Sequence, residues 1–578
     1  VRKKFQRLEI LLLALAAGAA WARSPVRETL HFAITTNVGF GNEVFVAGNH
    51  PDTGSWDPVR GAKLTWNSGN VWTGVVGVQS GTSLDFKYVS LPNSYTGICD
   101  GGNAGWMPPG GGNHLTTNAP SQPAAPYGGK TVYYHSGLTN VTVIYSSAGG
   151  AFTAAAMSIV GPGRNGSEYL HAVSGIGEAG EGIEFVLSGM SGTNTVYDHA
   201  PHEGYGTPPD NNYFTKLDVF FLQDGDVFNY RPPAAPSTPR IHTSTVVSTH
   251  EPSPNRTMKV YLPRGYDQNP WKRYPVVYMH DGENVFSPGV GLSGYGWVAD
   301  LTATREISQG RMRECIIVGL NSTANRTREY LPPEDNYSGQ GFGDVYAKFI
   351  EYDVKPQIDG AYRTLTNRAN TGTIGSSSGG LITTYLGWAT NVFGFIGPFS
   401  PAYLISPNFN QTIDTKPKQP LRIFTQTGTV GSPEIDILPD TWTVLDYFLK
   451  DGFVPNVDLV SRIGCGQAHS EQSWADWLPE CFRFLLDPWD EPNRLAQAGY
   501  PPVLAAPTGA ATGVLAADYP SLLGHAYRVE TATNPAAQWV ATATSSVEQL
   551  PWAIRSMAVT NGALPGETRH YRLSAFVP

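Results

Sequence analysis

Cysteine is scarce in this chain, four residues among 578. That excludes the dense disulfide framework with which small exported domains replace a hydrophobic core. Cys465 and Cys481 are the one candidate pair, and Cys99 and Cys315 are expected to lie apart as small core residues. Charge is thin too: Asp, Glu, Lys and Arg make up 15% of the residues, and the net charge of -9 is spread along the whole length. No Lys/Arg cluster follows the first few residues, so nucleic acid is not an expected partner. Long apolar runs are missing as well. The run Ile10–Ala20 is too short to cross a bilayer and no other stretch is long enough, so no membrane span is expected.

What is present begins with Arg2, Lys3, Lys4 and Arg7 ahead of that short apolar run, then Ala20-Trp21-Ala22 as a small-residue cleavage site. Residues 1–22 therefore read as a secretory signal peptide. The expected destination is outside the cell, or the periplasm of a cell with two membranes. Aromatics reach 11%, with 14 Trp and 28 Tyr, while Gly 64 and Pro 45 announce many turns and linkers. A chain this long is expected to hold about three or four domains.

The segment 26–120 carries short β-type runs, Leu30–Thr36, Glu43–Gly48, Trp72–Val78 and Ser83–Val89, separated by turns. Two of its turns display tryptophan: Gly54-Ser55-Trp56-Asp57-Pro58 and Gly105-Trp106-Met107. A flat aromatic face stacks on a sugar ring while a neighbouring cationic or amide side chain bonds the hydroxyls, although any single Trp is by default core. The series Val44-Phe45-Val46-Ala47-Gly48-Asn49-His50-Pro51-Asp52-Thr53-Gly54-Ser55-Trp56-Asp57-Pro58, Trp72, Asp85-Phe86-Lys87-Tyr88-Val89 and Gly110-Gly111-Gly112-Asn113 resembles a starch-binding module of carbohydrate-binding family 20. The resemblance implies an α-glucan site built from Trp56, Lys87, Trp106 and Asn113.

A Pro/Ala/Gly linker, Asn118–Gly129, leads to a second β-rich segment over 130–232 that contains no Trp. It is similar, more loosely, to the starch-binding sandwiches of families 25 and 53, with Phe152 and Tyr197 where that class has tryptophan. A second sugar site and a structural spacer both stay open. Asp198, His199, His202 and Glu203 have metal-ligand chemistry, but they crowd one Gly/Pro-rich turn, which reads as a polar loop, and no metal is expected.

Beyond the linker Arg231–Pro236 strands alternate with helices over 246–488, as in a mostly parallel sheet with flanking helices. Val345–Val354 places Tyr346, Phe349, Ile350 and Val354 on one helical face. At Thr371–Gly380 a β-type run ends in Gly-x-Ser-x-Gly, and Leu381–Leu386 continues with helical spacing. In a strand-turn-helix setting this motif is a nucleophile elbow, which lifts one hydroxyl, here Ser377, above the end of a sheet. Alone, Gly-Ser-Ser-Ser-Gly-Gly also fits a flexible loop. Chain order favours the elbow: the β-type run Leu421–Thr427 precedes a loop with Glu434 and Asp436, and His469 follows in Gly464–Ser470. Nucleophile, acid, base is the order that α/β-hydrolases use.

The motifs Val260–Asp267, Tyr278-Met279-His280-Asp281-Gly282-Glu283-Asn284-Val285-Phe286, Trp297-Val298-Ala299-Asp300 and Arg328-Glu329-Tyr330-Leu331-Pro332 precede the elbow. Ser400-Pro401 and the His469 loop follow it. Together they resemble the esterase family that includes feruloyl and acetyl-xylan esterases of carbohydrate esterase family 1, siderophore esterases and mycolyltransferases. The resemblance implies acyl transfer through an acyl-serine on Ser377, with His469 relaying the proton and Glu434 as the acid, Asp436 being the alternative. It also implies an oxyanion hole from the amide of Ser378 and one from the turn with Gly282 and Glu283. Trp297, Arg328 and Tyr330 would line the acyl pocket, with Arg328 and Glu329 as an alternative ion pair. His280 reads rather as a hydrogen-bonding strand end.

A last linker, Pro501–Gly513, introduces 514–578, which reads as a small β domain for packing or attachment. The expected molecule is thus multidomain, an α/β-hydrolase preceded by two all-β sandwiches and followed by a small β domain. It is expected to be a secreted serine carbohydrate esterase for feruloyl- or acetyl-type esters, held on starch-like α-glucan or a plant cell-wall glycan, with no cofactor. The alternatives are an inactive hydrolase fold serving as a polysaccharide scaffold and an acyltransferase to sugar hydroxyls.

Overall fold

A computed structural model describes residues 27–79, 82–92, 99, 104–107, 114–116, 129–147, 151–178, 182–200, 212–215, 217, 219–228, 239–250, 252, 254–264, 266–267, 273–287, 294–487 and five strands between 514 and 576. The proposed signal and the linkers at 118–128, 231–236 and 501–513 lie outside the described residues, as do Asn113, His202 and Glu203.

The first module is two antiparallel sheets. Arg27–Thr35 pairs with Val71–Gln79, and Asn42–Gly48 pairs with Ser83–Pro92. Period-2 alternation turns Phe32, Val44, Val46, Trp72, Val76 and Phe86 between the sheets, where they form one core. The second module stacks two five-stranded sheets over Val132, Val143, Phe185, Tyr213 and Phe220. The strands described beyond residue 514 form a two-stranded and a three-stranded antiparallel sheet.

The third unit is an eight-stranded sheet: β1 (Arg240–Val246), β2 (Arg256–Leu262), β3 (Val276–His280), β4 (Ile316–Leu320), β5 (Thr371–Ser376), β6 (Phe395–Phe399), β7 (Arg422–Val430) and β8 (Leu459–Ala468). The spatial order is β1-β2-β4-β3-β5-β6-β7-β8, antiparallel at β1-β2 and β2-β4 and parallel elsewhere. Strands β3 and β4 read as near-continuous apolar runs because helices cover both faces, leaving one buried cluster on each side. The helices that matter for the site are α1 (Ala299–Ser308), α2 (Ser378–Ala389), α3 (Glu434–Lys450) and α4 (Glu471–Leu485). The amphipathic stretch near 345–354 is helical, with Tyr346, Phe349, Ile350 and Val354 all buried, and it winds as a π-helix over Phe349–Val354. No described helix is long and apolar enough to cross a membrane.

The candidate pair Cys465–Cys481 is overturned, and so is the expectation that Cys99 lies apart as a small core residue. Cys465 is bonded to Cys99 of the first module, across 366 residues of sequence. The cause is the pitch of α4, which turns Cys481 into the core, whereas Cys465 sits near the exposed end of β8 facing the module. Cys315 is a buried free thiol, as expected.

The disulfide is one of several ties between the first module and the third unit. Phe45, Ala47, Val89 and Leu91 share a buried cluster with Leu438 and Trp442 of α3. The Lys63 ammonium, also buried, lies between Glu43 and Asp446. Asn456 donates its amide to the Asp52 carbonyl at 2.7 Å.

Candidate active site

Ser377 stands between β5 and α2 with φ 59° and ψ -128°, a conformation that side chains avoid at a cost of about 1–3 kcal/mol. The surrounding backbone holds it there. Its amide donates to the Phe399 carbonyl at 3.0 Å, and its own carbonyl accepts from the amides of Gly380, Leu381 and Ala402. A Cβ on Gly375 would come within 2.5 Å of the Gly379 carbonyl oxygen, and one on Gly379 within 3.2 Å of an Asp281 carboxylate oxygen. The glycines thus let the turn press against the end of β3.

Ser377, Ser400, Glu434 and His469 follow β5, β6, β7 and β8, four adjacent parallel strands, so all four lie at the carboxyl edge, where open α/β sheets place ligands. The Glu434 carboxylate is fully buried, accepts from Ser400 Oγ at 2.6 Å and meets His469 Nδ1 at 3.2 Å. Trp474 closes the other flank: its ring meets the imidazole edge-on at 4.9 Å, and its Nε1–H donates to Ser400 Oγ at 3.0 Å. His469 directly precedes the N-cap of α4, where Ser470 accepts from the Ser473 amide. Asp436 points elsewhere, accepting from Ser432 Oγ at 3.0 Å. Of the two candidate acids, Glu434 is the one the fold brings to the histidine.

At the end of β3, Asp281 takes φ 56° and is gripped by Arg326, with Nε and Nη2 donating at 2.6 and 2.8 Å. Burial pushes the Asp281 carboxyl up, and Arg326 opposes that shift. Gly282 is removed from the candidate donors, because its amide is spent on the Leu320 carbonyl at 2.7 Å. Among the described residues the amides of Glu283 and Ser378 donate to no protein acceptor, which leaves both open to an oxyanion. The Glu283 carboxylate is held by the Ser322 amide at 2.9 Å. His280 bonds Tyr346 Oη at 2.9 Å and Thr373 Oγ1 at 3.0 Å. Burial first, then Arg326 and Arg256, push its pKa down to about 3, so it is a neutral structural ring.

The expected pocket residues are displaced by burial. Trp297 is 2% exposed, stacked at 5.7 Å behind Trp474 and edge-on to Phe399. Tyr330 is 0% exposed, its hydroxyl accepting from the Asp281 amide at 3.4 Å. Arg328 lies over the Phe342 ring and donates to the Gln340 carbonyl, and Glu329 pairs not with Arg328 but with the buried Arg256. One short helix, Arg326–Glu329, turns Arg326, Glu329 and the following Tyr330 inward and Arg328 out. Trp297 and Tyr330 are supports for the site rather than its walls. Sequence reasoning missed Arg326 and Trp474, neither of which belongs to any of the motifs.

In the first module Trp56 and Trp106 are 42% and 41% exposed, with ring centroids 6.2 Å apart and planes tilted by 57°. Lys87 lies on the strand Ser83–Pro92, two residues before the Val89 that pairs with Trp106. In the second module Phe152 and Tyr197 are both exposed. The Asp198 carboxylate is occupied by the hydroxyls of Tyr134 and Tyr213 at 2.9 and 2.7 Å, and no metal-ligating cluster occurs among the described residues, to which His202 and Glu203 do not belong.

Two parts of the chain match known families. Residues 249–483 match the family model Esterase ("Putative esterase"), and residues 28–119 match that of the starch binding domain, CBM_20. An alpha-amylase of Thermomonospora curvata is 37% identical over 91 residues, 14% of this chain and 15% of that protein. The chain therefore matches only a small part of that relative's length. An uncharacterised protein, YbbA, of Bacillus subtilis (strain 168) is 28% identical over 184 residues, 30% of this chain and 68% of its own. Among solved structures, a ferulic acid esterase aligns with 20% identity and a TM-score of 0.35, covering 43% of this chain and 99% of that one.

Proposed function

We propose, for a chain whose residues 249–483 match the Esterase family and whose residues 28–119 match the starch binding domain, that it is a serine hydrolase of acyl esters on carbohydrates. The observation that carries this reading is the buried Glu434 carboxylate at 3.2 Å from His469 Nδ1, on the same sheet edge as the strained Ser377. A scaffold that had lost its chemistry would have no reason to keep a buried carboxylate behind that histidine.

The chemistry of this reading runs through an acyl-serine. His469 Nε2 takes the Ser377 proton as Oγ adds to the ester carbonyl, and Glu434 accepts the Nδ1–H and stabilises the imidazolium. The carbonyl oxygen, now negative, is met by the amides of Ser378 and Glu283. Collapse breaks the bond to the sugar oxygen, which leaves with the proton from His469. Water, deprotonated by His469, then releases the acid from the acyl-serine. The acyl group is of feruloyl or acetyl type, and Trp56, Trp106 and Lys87 hold an α-glucan. The protein works in an exported setting, a reading that the Cys99–Cys465 disulfide supports.

The test is acid release from acetyl, butyryl and feruloyl esters by wild type and Ser377→Ala. Turnover is expected to fall by at least about 10³-fold in the variant. Wild type no faster than Ser377→Ala on every ester would end the esterase reading.

A further inference from the structure

Between the first module and the hydrolase unit runs a cleft of 390 Å³, within the size range of about 300–1,000 Å³ usual for small-ligand sites. Asp57, Arg60 and Ala104 line it from the module, and Ile463, Cys465 and Trp477 from the hydrolase unit. Four of these residues adjoin a site already described. Asp57 follows Trp56, and Ala104 lies two residues before Trp106. Cys465 is on β8, whose end delivers His469 four residues on. Trp477 is one turn along α4 from Trp474, the ring that flanks His469.

We propose that this cleft is a glucosyl subsite joining the Trp56–Trp106 pair to the catalytic edge, so that the ester cleaved is borne by the very α-glucan chain the module holds. The inference rests on the esterase reading above and names its substrate: an acylated α-glucan rather than an ester on a neighbouring polymer.

Three observations carry it. The module is not hung on a linker in front of the hydrolase unit but locked to it by the Cys99–Cys465 bond, the Lys63–Asp446 pair and the cluster around Leu438 and Trp442. The distance from glucan site to serine is therefore fixed, which suits a continuous substrate and serves no purpose for a tether that only raises local concentration. The cleft also has sugar-binding chemistry. Trp477 is half-buried and oriented by its Nε1–H bond to Gln467, so part of an aromatic face is presented in a fixed pose. Beside it stand the exposed Asp57 carboxylate and the Arg60 guanidinium, 51% exposed and held only by a long 3.8 Å contact to Glu480, hydrogen-bonding groups for ring hydroxyls. Finally, the disulfide lies in the cleft wall itself, so the bond that fixes the module also shapes the passage.

The experiment compares kcat/KM on acylated maltooligosaccharides, from disaccharide to heptasaccharide, with kcat/KM on an aryl ester of the same acid, taken as a ratio within each variant. In wild type the ratio should climb with chain length by about tenfold or more, about 1.4 kcal/mol of added binding. Trp477→Ala should flatten that climb, and Arg60→Ala, at the exposed rim, should lower it in the same direction and carries the test should Trp477→Ala fail to fold. A ratio that does not rise with length in wild type, or rises equally in both variants, overturns the subsite. Calorimetric affinity for the unacylated maltooligosaccharides separates this from failure of the esterase reading. If wild type matches Ser377→Ala on every ester, the subsite still predicts tighter binding of longer chains that weakens in Trp477→Ala, and affinity independent of length overturns it.

Discussion

Glu434 and Asp436 are two positions apart, equally acidic and equally eligible on chain order, yet only one can matter to His469. The start of α3 decides between them, burying Glu434 under Ser400 and leaving Asp436 to Ser432. Glu434→Gln should lower kcat by about 10³–10⁴-fold, since an amide nitrogen presented to Nδ1 favours the wrong tautomer, whereas Asp436→Asn should leave kcat within about twofold. Steady-state kinetics on an aryl ester checks both. His280 yields a second expectation, in pH. Its ring ordinarily titrates at 6.5 and is pushed down to about 3 in the fold, so below pH 6.5 the unfolded chain takes up a proton that the folded chain refuses. This contribution is complete above pH 6.5 and is lost as the pH falls toward 3. The urea midpoint should therefore drop between pH 7 and pH 4 by more in wild type than in His280→Gln. Equal slopes would mean the ring is not held neutral.

At the scale of elements, the part of the site that local sequence encodes was legible and the part that burial decides was not. The elbow could be read because its small residues answer a local crowding, visible in the 2.5 Å approach that a Cβ on Gly375 would make. The loop after β7 could be read as well, because it follows a β-type run, and His469 could be read from its place after it in chain order. Trp297 and Tyr330 misled as pocket walls because an aromatic motif looks the same whether it faces a ligand or supports the residue that does. Gly282 misled for a related reason: whether an amide is free depends on β4, whose Leu320 carbonyl takes it. The turn after β3 is set instead by a residue without any motif, Arg326, whose fork fixes Asp281 in its positive-φ pose. Arg326→Ala should release that turn and misplace the Glu283 amide. The expected result is a fall in kcat of about 10- to 100-fold with KM for a small ester little changed, the pattern of a donor needed only in the transition state. A rise in KM with kcat intact would assign Arg326 to substrate binding instead.

For the whole molecule, the least legible feature is the joint between starch-binding module and hydrolase unit. Composition separates the two, and nothing in either segment announces that Cys99 reaches Cys465 across 366 residues, since pairing at that separation is fixed by tertiary structure alone. The joint nonetheless has the anatomy of a core: Phe45 meets the Trp442 ring edge-on at 5.5 Å, and Lys63 lies over the same ring. Two kinds of tie hold it, and they should separate experimentally. Cys99→Ser removes the covalent tie and leaves the apolar seam, so unfolding should stay cooperative with stability lower by about 2–4 kcal/mol. Trp442→Ala empties the seam and leaves the disulfide, with a loss of about 3–5 kcal/mol. Removing both should let the module open independently, splitting one calorimetric transition into two and exposing the Phe45 and Val89 strands to hydrogen exchange. A single transition in the double variant would mean that the seam is not what couples the two units, and that the remaining contacts, Asn456 on Asp52 and Lys63 on Asp446, carry the coupling instead.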